Sequence, residues 1–172
     1  MATVRKPSAL DDLKERYEDR LRVSILDVTS PKEIVSVVDE ALDAFGKIDF
    51  AVSNAGYIMV GTAEEAVPRI ECLLDTNLLG SIVFAKAVIP HMRKQGGGRI
   101  LQISSEQRQM AYPGMSVYAT TKWGIEGFFE VSFRKSRNSA SRSRWSNPAL
   151  PEPTSRVRRT TPLPLKSMRT RL

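Results

Sequence analysis

Between residues 8 and 132 the hydrophobic pattern switches repeatedly between a helical and a strand period, and beyond Phe133 it keeps neither. Leu10, Leu13 and Tyr17 recur at helical spacing, and Leu21 to Leu26 read as a strand ending at Asp27 and Val28. Ser30-Pro31-Lys32-Glu33 predicts a capping box with proline at the first helical position, where its missing N–H costs nothing. Ile34, Val38, Leu42 and Phe45 then share one face, and Gly46 closes the helix. A short apolar strand from Ile48 to Val52 leads into Ser53-Asn54-Ala55-Gly56. A long helix is predicted from about Ala63 to Met92, bent near Pro68, followed by a Gly96-Gly97-Gly98 turn. Arg99 to Ile103 form another strand, and Ser116 to about Phe133 another helix. Near-continuous apolar strands separated by helices predict an α/β fold, a parallel sheet with helices on both faces.

Charge divides the chain at the same place. The 172 residues carry a net +7, but Phe133 onward holds 11 basic residues against the single acid Glu152. That segment is +10, and the residues before it are −3. The tail also holds five of the prolines (Pro148, Pro151, Pro153, Pro162 and Pro164) and no sustained period, so it is expected to be disordered. Residues 1–132 are thus read as the domain and 133–172 as a basic tail. One cysteine, Cys72, excludes an intramolecular disulfide, and with the single His91 it argues against a metal site. No apolar run approaching the ~18 residues of a membrane span is apparent, and the first residues lack a signal-peptide core. No membrane association and a cytoplasmic, reducing setting are expected.

Ligands of open α/β sheets sit at the carboxyl ends of the strands. Asp27, Asn54 and the pair Ser104-Ser105 fall there. In the last helix, four-residue spacing puts Tyr118 and Lys122 on one face. An ammonium beside a phenol favours the phenolate, lowering the tyrosine below its ordinary value of about 10 and suiting it to proton transfer near neutrality. The alternative for this pair is a solvated surface contact.

Asn54-Ala55-Gly56 at a strand end, Asp75-Thr76-Asn77 in the long helix, and Ser105 thirteen residues before Tyr118 form a joint pattern. It resembles the classical short-chain dehydrogenase/reductase family, over roughly residues 1–132. The resemblance implies a Rossmann-like sheet and a nicotinamide-dependent oxidoreductase that interconverts a carbonyl and a secondary alcohol. It implies Tyr118 as general acid/base, with Lys122 lowering its pKa and binding the nicotinamide ribose. Ser105 would orient the substrate oxygen, Ser104 would be structural, and Asn77 would position a water. Asp27 and Val28 match the family's adenine-contacting pair, and Asn54, Ala55 and Gly56 the segment touching the cofactor. Asn54 as a turn residue and Asp27 as a helix cap are the alternatives. Val4 occupies the place of the acid that grips the ribose hydroxyls in NAD enzymes, and Arg5 follows it. Arginine there suits a 2′-phosphate, so NADP is expected over NAD, a solvated loop arginine being the alternative. Relatives are homo-oligomers, here implied through the Asn77 and Tyr118 helices.

The chain departs from the family at both ends. No G-x-x-x-G-x-G turn occurs, and Met1 falls inside the family's second strand. The family order 3-2-1-4-5-6-7 then predicts two separate strand pairs with a slot about 9.6 Å wide between them. Unsatisfied inner edges make this a poor fold, so activity is doubtful and no saturable NADPH binding is expected. At the other end, codons permitted for Ser136 to Ser155, read one base-step displaced, spell A-E-F-G-I-E-V-T-L-V-E-P-G-A-A-R-T-D-F. That string resembles the family's next turn, strand and Pro-Gly corner, which points to a reading-frame shift near Phe133–Ser136, against a natural basic extension. Two other functions remain: a catalytically silent relative, and non-specific nucleic-acid binding through the tail. The last is disfavoured because Trp145 is the one aromatic beyond Phe133.

Overall fold

The computed structural model describes residues 1–62, 64, 69–106 and 112–136, with side chains through residue 132. The expected bend at Pro68 and the tail from 137 lie outside them. In chain order the elements are β1 (Ala2–Val4), α1 (Asp11–Tyr17), β2 (Val23–Ile25), α2 (Pro31–Phe45), β3 (Phe50–Ser53), α3 (Ile70–Lys94), β4 (Arg99–Gln102) and α4 (Ser116–Ser136).

Among the described residues all pairing is parallel and falls into two sheets, as the family order predicts. β1 pairs with β2, Thr3 opposite Ser24, and β3 with β4, Ala51 opposite Ile100. Strands of three or four residues in pairs are marginal alone, so stability rests on the helices. Alternation along β3 and β4 turns Ala51, Ser53, Ile100 and Gln102 inward. There Val38 of α2, Ala85, Val88 and Met92 of α3, and Ile125 and Phe129 of α4 meet Ala51 and Ile100 in one core. Burying each large apolar side chain contributes about 1.5–3 kcal/mol. On the opposite side of β3 Phe50 and Val52 are 60% and 53% exposed, and Ile25 on β2 is 56% exposed. α1 buries no residue, despite the helical spacing of Leu10, Leu13 and Tyr17.

Local signals act largely as their chemistry dictates. Ser30 accepts the Glu33 N–H at 3.4 Å, Pro31 opens α2, and Gly46 caps it in the left-handed region. The capping box is half formed. Glu33 reaches back to the Asp27 N–H at 2.8 Å, because the Ser30 N–H already donates to the Asp27 carbonyl. Gln95, beyond α3, bonds both the N–H and the carbonyl of Ile48 and so ties the end of α3 to the approach to β3.

α3 departs from expectation in two ways. Its 25 residues are long and apolar enough to match a membrane span by length and composition, which the sequence pattern did not suggest. Leu73, Ala85, Val88 and Met92 on it are core residues. Its interruption is a π-helical segment, Asp75–Leu79, after which Gly80 resumes the α form. At Gly80 the helix presses on the loop after β2: an added Cβ would sit 2.6 Å from the Val28 carbonyl oxygen. Gly80→Ala is therefore expected to lower the unfolding free energy in urea by about 1–3 kcal/mol. Gly97→Ala, whose Cβ meets nothing within 4 Å, is the control and should change it little.

Candidate active site

The carboxyl ends of β3 and β4, the π segment of α3 and the first turns of α4 converge on one cluster. Widening α3 at Asp75–Leu79 places Asn77 inside, 1% exposed. Such π insertions are frequent at functional sites. The Asn77 Oδ1 accepts the Tyr57 N–H at 3.0 Å, and its Nδ2 donates to the Tyr57 carbonyl at 2.8 Å. The Nδ2 also donates to Thr121 Oγ1 at 3.3 Å, and that hydroxyl donates to the Tyr118 carbonyl at 2.7 Å. The Asn77 side chain is thus engaged in bracing the loop after β3 against α4. Behind it, the Ser53 hydroxyl donates to Ser81, and Ser81 to the Asn77 carbonyl.

Tyr118 and Lys122 are both 6% exposed, on the inner face that their spacing predicts. Lys122 Nζ donates to the Ile103 carbonyl at 3.2 Å and lies 5.8 Å from the centre of the Tyr118 ring. Burial lowers its pKa from 10.5, and the Glu126 carboxylate partly opposes this. Gly56 sits between the two anchors. A Cβ there would lie 3.1 Å from Asn77 Oδ1 and 3.8 Å from Lys122 Nζ, so only glycine lets the backbone pass unhindered. Asn54 and Ala55 are exposed at the end of β3. Ser105 is half-buried and directly follows Ser104, whose hydroxyl donates to Glu126.

A second group lies at the ends of β1 and β2. Asp27 Oδ1 accepts from the Thr29 N–H and hydroxyl, which hold its carboxyl below the usual range, and the Arg5 charge adds to this. That pattern is a local turn and not the helix cap that was the alternative. Val28 packs against Gly80. The sequence reading thus names the residues of both groups but omits Thr121 and Glu126. Both carried a signal, since they stand three residues after Tyr118 and four after Lys122, on the same helix face. The described residues contain no cluster of His, Cys, Asp and Glu able to hold a metal ion.

Comparison with known proteins fits this geometry. The model of the short chain dehydrogenase family matches residues 3–139. Oxidoreductase BOA17 of Botryotinia fuckeliana is 35% identical over 133 residues, covering 76% of this chain and 48% of the relative. A short-chain dehydrogenase from Streptomyces avermitilis superposes with a TM-score of 0.79 at 32% identity, over 84% of this chain and 55% of that one. The closed form of serine dehydrogenase complexed with NADP+ gives 0.76 at 30% identity, over 82% and 58%. The chain belongs to the short-chain dehydrogenase family, and it spans about half the length of the curated relatives it matches.

The lysine has a measurable consequence. Its folded pKa lies below the unfolded 10.5, so between the two the unfolded chain binds more protons. Stability should therefore rise with pH through that window. In Lys122→Met this component is removed, and unfolding curves collected across alkaline pH should show a flatter profile than the parent chain.

Proposed function

We propose that the protein is an NADP-preferring oxidoreductase that interconverts a small-molecule carbonyl and its secondary alcohol. The observation that carries the reading is the convergence of Asn77, Tyr118, Lys122 and Gly56 at the ends of β3 and β4, with Ser105 beside them. The residues present fit a nicotinamide cofactor at its two ends. At Gly56 the backbone of the loop after β3 comes close to Asn77 and Lys122, which sets that loop beside the lysine that would hold the ribose. Arg5, close enough to Asp27 to act on its carboxyl, offers a cation for a 2′-phosphate. When bound, that cofactor supplies the hydride donor or acceptor.

The chain's own residues supply the proton chemistry. Tyr118 gives or takes the proton of the substrate oxygen, and Ser105 orients that oxygen. Lys122, donating to the Ile103 carbonyl, keeps its ammonium near the phenol and the ribose site. Asn77 fixes the loop carrying Gly56, and Asn54, Ala55, Asp27 and Val28 border the cofactor. The NADP+ complex of serine dehydrogenase, 30% identical to this chain, supports this cofactor.

A second reading, a catalytically silent relative, is favoured by the separation of the described strands into two two-stranded sheets. Nicotinamide fluorescence decides between them. Saturable NADPH enhancement that weakens in Arg5→Ala carries the enzyme reading; its absence carries the silent one. In turnover of secondary alcohols, Tyr118→Phe is expected to lower the rate about 10²–10⁴-fold. Turnover indifferent to that change contradicts the proton-transfer role.

A further inference from the structure

Two side chains one helical turn apart on α4 grip two consecutive residues at the end of β4. Lys122 Nζ donates to the Ile103 carbonyl at 3.2 Å, and Glu126 accepts the hydroxyl of Ser104. Ile103 is held from the sheet side too, its N–H donating to the Ser53 carbonyl at 3.0 Å and its carbonyl accepting from Gln102 Nε2 at 3.1 Å. Only after this doubly fixed pair does the chain reach Ser105.

We propose that Glu126 is a positioning residue of the site: it pins Ser104, and so the Ser105 segment, while standing as the counter-charge one turn beyond Lys122. This rests on the reading of Ser105, Tyr118 and Lys122 as one catalytic group. A buried ammonium bonded to a neutral carbonyl is costly to keep charged, and a carboxylate on the same face offsets part of that cost. The other groups around Lys122 are weakly placed to do so. α4 adds the ring of Tyr118, the loop after β3 the backbone at Gly56, and the end of β4 the Ile103 carbonyl. One carboxylate therefore serves two ends. Its hydrogen bond sets where Ser105 lies, and its charge sets how readily Lys122 stays protonated.

The two roles separate by substitution in the full chain, without cofactor or substrate. Glu126→Gln keeps an acceptor oxygen for Ser104 and removes the charge. The Lys122 midpoint, followed by ¹³C NMR of the lysine ε-carbons, should shift downward while the Ser105 amide resonance stays near its parent position. Ser104→Ala should do the reverse, displacing the Ser105 amide and speeding its hydrogen exchange with the charge still present. An unmoved Lys122 midpoint in Glu126→Gln, or an unmoved Ser105 amide in Ser104→Ala, overturns the proposal. Neither readout uses turnover, so failure of the oxidoreductase reading would show separately, as no NADPH binding with both NMR effects intact.

Discussion

Three hydrogen bonds from one buried amide hold the site together. Asn77 takes both backbone groups of Tyr57 and the hydroxyl of Thr121, and these belong to the loop after β3 and to α4. An amide is suited to this place because it donates and accepts at once. Buried at 1% exposure, each of those groups left unpaired would cost about 1–3 kcal/mol. The π segment is what lets the side chain point inward without breaking α3. Gly56, Tyr118 and Lys122 take their relative positions from that bridge.

The apolar core plays the other part. Two-stranded sheets of three and four residues have little cohesion, so α2, α3 and α4 must hold them by burial. The core lies on one side of β3 and β4, which leaves Phe50 and Val52 facing outward. The site sits at the edge of the packed half, where Phe129 and Ile125 fix the helix whose first turns carry Tyr118 and Lys122.

Much of this was legible in the chain, and for physical reasons. Hydrophobic period and the Ser30, Pro31 and Gly46 signals are local, so β2, α2 and α4 fall close to where they were expected. The four-residue spacing of Tyr118 and Lys122 guarantees a shared helix face, and the strand ends locate Asp27, Asn54 and Ser105. Other features depend on contacts between distant segments. The π segment answers to the need to bury Asn77, and Glu33 chooses Asp27 because Ser30 is already occupied. Thr121 and Glu126 share a helix face with Tyr118 and Lys122 by spacing, but their partners Asn77 and Ser104 lie far off in the chain and emerge only with the fold.

The central claim, that Asn77 couples the β3 loop to α4, is tested most directly by amide hydrogen exchange in Asn77→Ala. At equal global stability, set by temperature or denaturant, exchange at Tyr57 should rise together with that of the Tyr118–Lys122 turn. Remote α2 amides should stay as protected as in the parent chain. Unchanged protection at Tyr57, or a uniform rise over the whole chain, would contradict the bridge.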